Sequence, residues 1–263
     1  MINPIYSSPD KFSDIYKSNK PYPHIVFDDF LEEDFANEIL GEFPDLSKIN
    51  SKIVFDNEKE VKYASIGFAD ISPSATKLIS YLNSDIFLKF LQGLTGIKEV
   101  LLSDPYLAGG GYHEIKKGGV LKVHADFNKH PDINLDRRLN ILIYLNRSWK
   151  EEWGGNLELY TYGNFEKPYK SIMPLFNRCV IFSTTSFTYH GHPDRLKCPS
   201  KISRKSIALY YYTLGRPKSE TKKSHSTIFV KTKGENWKYN FSIKQKLKEF
   251  LPEKLKSLIK KIL

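Results

Sequence analysis

The run Gly119-Val120-Leu121-Lys122-Val123-His124-Ala125-Asp126 is a β-forming stretch that ends in an imidazole and a carboxylate two positions apart. Along a strand, side chains at i and i+2 leave the same face, so His124 and Asp126 can converge on one cation. The spacing alone is common. His130-Pro131-Asp132 and His192-Pro193-Asp194 repeat it, but a proline between the two residues suits a turn better than a paired strand. Only His124/Asp126 follows an apolar β run; the bland alternative is a surface histidine beside an acid.

Working outward, short β-rich runs follow one another from about residue 98: 100–106, 111–115, 119–123, 139–145, 156–160, 178–183 and 206–214, broken by Gly, Pro and Asn. Ser206-Ile207-Ala208-Leu209-Tyr210-Tyr211-Tyr212 is aromatic and β-branched enough for a central strand. Upstream, Tyr22-Pro23-His24-Ile25-Val26-Phe27 reads as a short strand. Leu31, Phe35, Ile39, Leu40 and Phe43 then recur at helical spacing, with Asp28 or Asp29 available as cap. A second helical region spans about 72–92, where Ser72 can cap and Pro73 suits the first helical position. Helices first and strands afterwards predict a mainly β fold, a barrel or sandwich with helices packed on one side. The expected organisation is one domain over 1–215, with a helical lead-in to about 97 and the β core over 98–215, then a separate extension over 216–263.

Forty per cent apolar and 27% charged residues mark a globular chain. No apolar run approaches the ~20 residues that cross a bilayer, and the first residues lack a secretory pattern. The two cysteines, Cys179 and Cys198, allow one disulfide, but two thiols in a reducing cytoplasm are the adopted reading. The net charge of +10 is unevenly placed: residues 216–263 hold 14 Lys/Arg against 4 Asp/Glu, and residues 1–215 hold 26 of each sign. A neutral body with a basic tail is not a nucleic-acid footprint. In the tail, Ile243, Leu247, Phe250 and Leu251 form one apolar stripe and Leu255, Leu258, Ile259 and Ile262 another, on either side of Pro252. Such a helix either lies on an anionic membrane surface or packs on the fold or on a second subunit.

Sixty-four residues past Asp126 comes Tyr189-His190-Gly191-His192-Pro193. A histidine from a distant strand would complete a two-histidine, one-carboxylate facial triad, which leaves three metal positions open; His190 and His192 both stand available. Arg204 opens the strand Arg204-Lys205-Ser206-Ile207-Ala208 in a chain with seven arginines and 33 lysines. A guanidinium can grip a carboxylate through two parallel hydrogen bonds, although a strand-end arginine can equally be solvated.

In order and spacing, these motifs resemble the prolyl-4-hydroxylase-like branch of the iron(II)/2-oxoglutarate oxygenases. The resemblance covers about 106–213: Tyr112, the run into His124-Ala125-Asp126, Arg137-Arg138-Leu139-Asn140-Ile141-Leu142-Ile143-Tyr144-Leu145-Asn146, Trp153-Gly154-Gly155-Asn156-Leu157-Glu158-Leu159, His190-Gly191-His192-Pro193, and Arg204 with Ser206. It implies a double-stranded β-helix, a jelly-roll or cupin-like core. It assigns the metal to His124, Asp126 and His190, the histidine before Gly being the family's ligand. It gives Arg204 the distal carboxylate of 2-oxoglutarate, with Tyr144 sharing it, Tyr112 facing the same pocket and Ser206 nearby. Gly154-Gly155 reads as a turn and not a phosphate loop. The implied chemistry uses Fe(II), 2-oxoglutarate and O2 to hydroxylate an unactivated C–H bond, and the carboxylate ligand argues against halogenation. The substrate expectation is a cell-envelope sugar or glycolipid, with peptidyl proline or a free amino acid as the alternative. Two other classes stand beside it: a non-catalytic cupin-like binding module, and a nucleic-acid demethylase, which the neutral body disfavours.

Overall fold

The computed structural model describes residues 1–221 and 223–237. The two apolar stripes at 243–262, and with them the expected membrane-surface helix, lie outside the described residues. Among the described residues four helices, α1 (Asp10–Ser18), α2 (Glu33–Glu42), α3 (Pro73–Leu82) and α4 (Asp85–Thr95), accompany twelve strands. These are β1 (His24–Phe27), β2 (Lys52–Asp56), β3 (Glu60–Ser65), β4 (Gly111–Ile115), β5 (Val120–Ala125), β6 (Asp136–Tyr144), β7 (Leu157–Tyr160), β8 (Lys170–Ile172), β9 (Arg178–Ser183), β10 (Tyr189–His192), β11 (Arg204–Thr213) and β12 (Ile228–Phe229).

All strand pairs are antiparallel, in the order β1-β9-β6-β11-β4-β3-β5-β10-β7-β8, with β2 added to β3 and β12 to β5. The sheet curls on itself. Tyr144, Val180 and Phe182 of β6 and β9 share a core with Leu157, Leu159 and Ile172 of β7 and β8, strands far apart in that order. This is the double-stranded β-helix expected from the resemblance. The alternation along β6 explains the layers. Leu139, Ile141 and Ile143 face outward into the main core with Ala75, Leu78, Leu91 and Leu94 of the helices, while Leu142 and Tyr144 face the barrel interior. Each side chain leaves water on one face or the other, so a one-residue slip of register would turn the pattern inside out.

Ser72 caps α3 by accepting from the Ala75 amide, with Pro73 in the first position, as its sequence predicts. The long helical region divides at Asn83, because Ser84 starts a new helix by accepting from the Phe87 amide. Neither Asp28 nor Asp29 caps α2, whose cap position is Glu32. Asp28 instead pairs with Arg178, and Asp29 adopts a positive φ of 49°. The run 100–106 forms no strand; it contributes one bridge, Leu102 to Tyr212. The lead-in is also not wholly helical, since β1, β2 and β3 join the sheet. Cys179 and Cys198 are buried free thiols in separate clusters.

Candidate active site

The antiparallel pairing of β5 and β10 sets His124 directly opposite His190. Asp126 follows the end of β5, and its carboxylate reaches between the two rings. Its Oδ1 is 3.6 Å from His124 Nε2 and its Oδ2 is 3.5 Å from His190 Nε2. The candidate ligand atoms of all three lie within 4.8 Å of one another. Gly191 makes this approach possible, since a Cβ there would stand 2.9 Å from the Leu121 carbonyl oxygen. Among the described residues these three form the one such cluster, and His192 is outside it. The structure therefore brings His190, and not His192, to Asp126.

The donor set suits a divalent transition metal. Nδ1 of His124 donates to the Lys122 carbonyl at 2.8 Å, given the tautomer that leaves the Nε2 lone pair toward Asp126. The Nε2–carboxylate separations are too long for good hydrogen bonds. Those atoms would instead serve as ligands to a divalent metal held between them. Burial, with the neighbouring His124, pushes the pKa of His190 down to about 3, so its lone pair is available at neutral pH. Burial alone would raise the pKa of Asp126. The Arg137 guanidinium and the two histidines outweigh it and hold the carboxyl well below the usual range.

Two residues that the sequence reading did not single out hold this carboxylate. Asn140 Nδ2 donates to Asp126 Oδ2 at 2.8 Å, and Arg137 Nη2 lies 3.1 Å from the same oxygen. Arg137 also donates twice to Asn140 Oδ1, at 3.0 and 2.7 Å, and its guanidinium lies over the rings of Tyr210 and Phe127. Strict alternation would put residues three apart on opposite faces. The β6–β11 register pairs Leu139 with Tyr211 and Arg137 with Tyr212, which leaves Arg138 as an extra residue. That bulge returns Arg137 to the face of Asn140. A bulge is a cross-strand event that no spacing within β6 announces.

Arg204 opens β11 on the interior face and is 6% exposed. Its Nε donates to the Gly155 carbonyl at 2.7 Å and its Nη2 to the Tyr144 hydroxyl at 3.2 Å. Among the described residues no carboxylate comes within ion-pair distance of it. A buried guanidinium without a counter-ion is costly, and a bound anion would offset that cost. Gly154 and Gly155 form the expected turn, at φ 69° and 77°, and a Cβ on Gly155 would stand 3.2 Å from Arg204 Cδ. Ser206 stands between Tyr144 and His113 in register, on the Arg204 face.

Tyr112 is a correction. It does not face this pocket: its ring is buried in the helix-side core, 4.3 Å from Phe43, and its hydroxyl pairs with Ser72 Oγ at 2.8 Å. Strand alternation gives the interior face to His113 instead, whose pKa burial and the nearby Lys62 push down to about 3. His192 is likewise buried, and burial with the charge of Arg204 holds its pKa well below the usual range.

Residues 110–212 match the family model of the 2OG-Fe(II) oxygenase superfamily. Prolyl 3-hydroxylase OGFOD1 of Mus musculus is 32% identical over 93 residues, which span 34% of this chain and 17% of that protein. Two solved structures have the same fold. One is a prolyl hydroxylase of Trichoplax adhaerens in complex with a peptide fragment of hypoxia inducible factor, at TM-score 0.57 and 19% identity over 80% of this chain and 91% of that one. The other is a Pseudomonas putida prolyl-4-hydroxylase, at TM-score 0.54 and 12% identity over 78% and 98%. HygX of Streptomyces hygroscopicus, with nickel and 2-oxoglutarate bound, aligns at TM-score 0.52 and 12% identity over 84% and 96%.

Proposed function

We propose that residues 110–212, which match the 2OG-Fe(II) oxygenase family model, form an iron(II)/2-oxoglutarate oxygenase domain of the prolyl-hydroxylase-like kind, and that this chain hydroxylates an unactivated C–H bond of a peptide or small molecule. His124, Asp126 and His190 hold the iron, and Arg204 and Tyr144 hold 2-oxoglutarate. The observation that carries the reading is the convergence of three ligand atoms within 4.8 Å in a barrel that also holds a buried Arg204 with no carboxylate partner among the described residues.

When bound, the iron supplies dioxygen activation, coupled to oxidative decarboxylation of 2-oxoglutarate to succinate and carbon dioxide. The chain supplies position and field. Asn140 and Arg137 fix the Asp126 carboxylate in its ionised form. The Lys122 carbonyl orients the His124 ring. The Gly155 carbonyl and Tyr144 hydroxyl hold the Arg204 fork in place before any ligand arrives, which reduces what is lost on ordering. Phe229 of β12 packs beside His124, ring centroids 5.4 Å apart.

The proposed substrate is a prolyl residue, a reading supported by the names of the mouse, Trichoplax and Pseudomonas relatives. The expected sugar or glycolipid has no support in these likenesses. Neither does membrane contact; among the described residues no helix is long and apolar enough to cross a membrane. Succinate release from 2-oxoglutarate, measured with proline-containing peptides, free amino acids and envelope glycan precursors in parallel, tests the proposal. Stimulation by the peptides is expected. Stimulation by the glycans alone would replace the substrate, and no 2-oxoglutarate turnover with any of them would remove the activity.

A further inference from the structure

His192 is 3% exposed, and among the described residues neither ring nitrogen has a partner in full hydrogen-bond geometry; the Asp194 backbone is the one hydrogen-bonding group that acts on the ring, and it does so weakly against burial. Buried polar groups are as a rule paired, and an imidazole with both nitrogens idle is an exception that calls for a ligand. The fold shows where that ligand lies. In β10, His190 is opposite His124 and Leu159, Gly191 opposite Glu158, and His192 opposite Leu121. β7 therefore borders β10 on the side where the Gly155 carbonyl receives Arg204 Nε. Arg204 acts electrostatically on the His192 ring. Its own Nη1 makes no hydrogen bond among the described residues, because its two bonds use Nε and Nη2. The unpartnered His192 ring thus lies within the electrostatic reach of Arg204 and outside the trio that gathers at Asp126.

We propose that His192 is a further binding residue for the dicarboxylate co-substrate, its ring N–H donating to the same distal carboxylate that Arg204 and Tyr144 hold. This rests on the reading that the chain binds 2-oxoglutarate. A carboxylate offers about four lone-pair directions, more than the Arg204 fork and the Tyr144 hydroxyl fill. The imidazole donor fills another and sets the selectivity for a 2-oxo acid that ends in a carboxylate.

The test compares two probes on the full chain loaded with Mn(II), by calorimetry without turnover. 2-Oxoglutarate carries the distal carboxylate. 2-Oxopentanoate keeps the 2-oxo acid head and chain length but lacks it. His192→Leu removes the donor, His192→Gln restores an N–H, and His192→Ala serves in place of the leucine if that variant does not fold. The expected result is a loss of 2-oxoglutarate affinity of about tenfold or more in the leucine variant, the consequence of losing one charge-assisted hydrogen bond. 2-Oxopentanoate binding and the Mn(II) content should stay unchanged, and the glutamine variant should recover most of the loss. Equal weakening of both probes, or none, would make His192 a packing residue and overturn the proposal. Loss of Mn(II) would make it a ligand, with the same consequence. If the unaltered protein binds neither Mn(II) nor 2-oxoglutarate, the underlying function fails as well.

Discussion

Arg204→Met removes the guanidinium and keeps much of the side-chain volume, and two opposite effects follow. The ligand-free protein loses a buried cation that no carboxylate in the described structure balances, so its melting temperature should hold or rise. The bound form loses a charge-assisted bidentate grip worth about 1.5–3 kcal/mol, which weakens 2-oxoglutarate by about 10–150-fold. Ligand stabilisation follows from mass action. With 2-oxoglutarate at a hundred times its Kd, the unaltered protein gains about 2.7 kcal/mol, and a variant bound a hundredfold more weakly gains only about 0.4 at the same concentration. For a chain of this size, about 2–4 °C per kcal/mol turns these into a shift of roughly 5–10 °C that shrinks to about 1 °C. Thermal unfolding of the Mn(II) form with and without 2-oxoglutarate measures both. A variant that is destabilised without ligand yet keeps the full ligand shift would refute the reasoning and leave Arg204 a structural residue.

Tyr144→Phe deletes one neutral hydrogen-bonding group and should weaken 2-oxoglutarate by about 0.5–1.5 kcal/mol, several-fold by calorimetry. Tyr112→Phe removes only the Ser72 contact, so it should lower stability by a similar amount and leave 2-oxoglutarate affinity unchanged. Asn140→Ala frees one oxygen of the metal-facing carboxylate and should lower metal affinity by about 10–100-fold, read by competition with a chelating dye; unchanged affinity would mean that Arg137 alone suffices. Gly191→Ala drives a Cβ against the β5 backbone and should cost about 1–3 kcal/mol of stability, with metal affinity falling as His190 moves away from His124.

Local chemistry made much of this molecule legible before any coordinates. The strands at 139–145 and 206–214 and the cap at Ser72 depend on neighbours within a few residues, and these expectations hold; the same-face spacing of His124 and Asp126 is equally local. What escaped depends on partners distant in the chain. Tyr112 or His113 could each have faced the pocket; the choice rests on which side the helices cover. The β2–β3 hairpin carries a readable signal in Ile53-Val54-Phe55 and Val61-Lys62-Tyr63 around the turn at Asn57. Its strands are half-exposed and lack a clean apolar face, so the signal is weak. The roles of Arg137 and Asn140 hang on a bulge that exists only when β6 is laid against β11. Two histidines two apart, His190 and His192, looked equivalent until the pairing with β5 put one of them opposite His124.

Iron binding is the most direct test of the site. Titrated anaerobically with Fe(II), the protein should take up about one equivalent and, with 2-oxoglutarate added, develop a weak visible charge-transfer band. His124→Ala, Asp126→Ala and His190→Ala should each abolish both, while the His192 variants keep the iron. Stoichiometric iron and an undiminished band in all three alanine variants would contradict the assignment of this site.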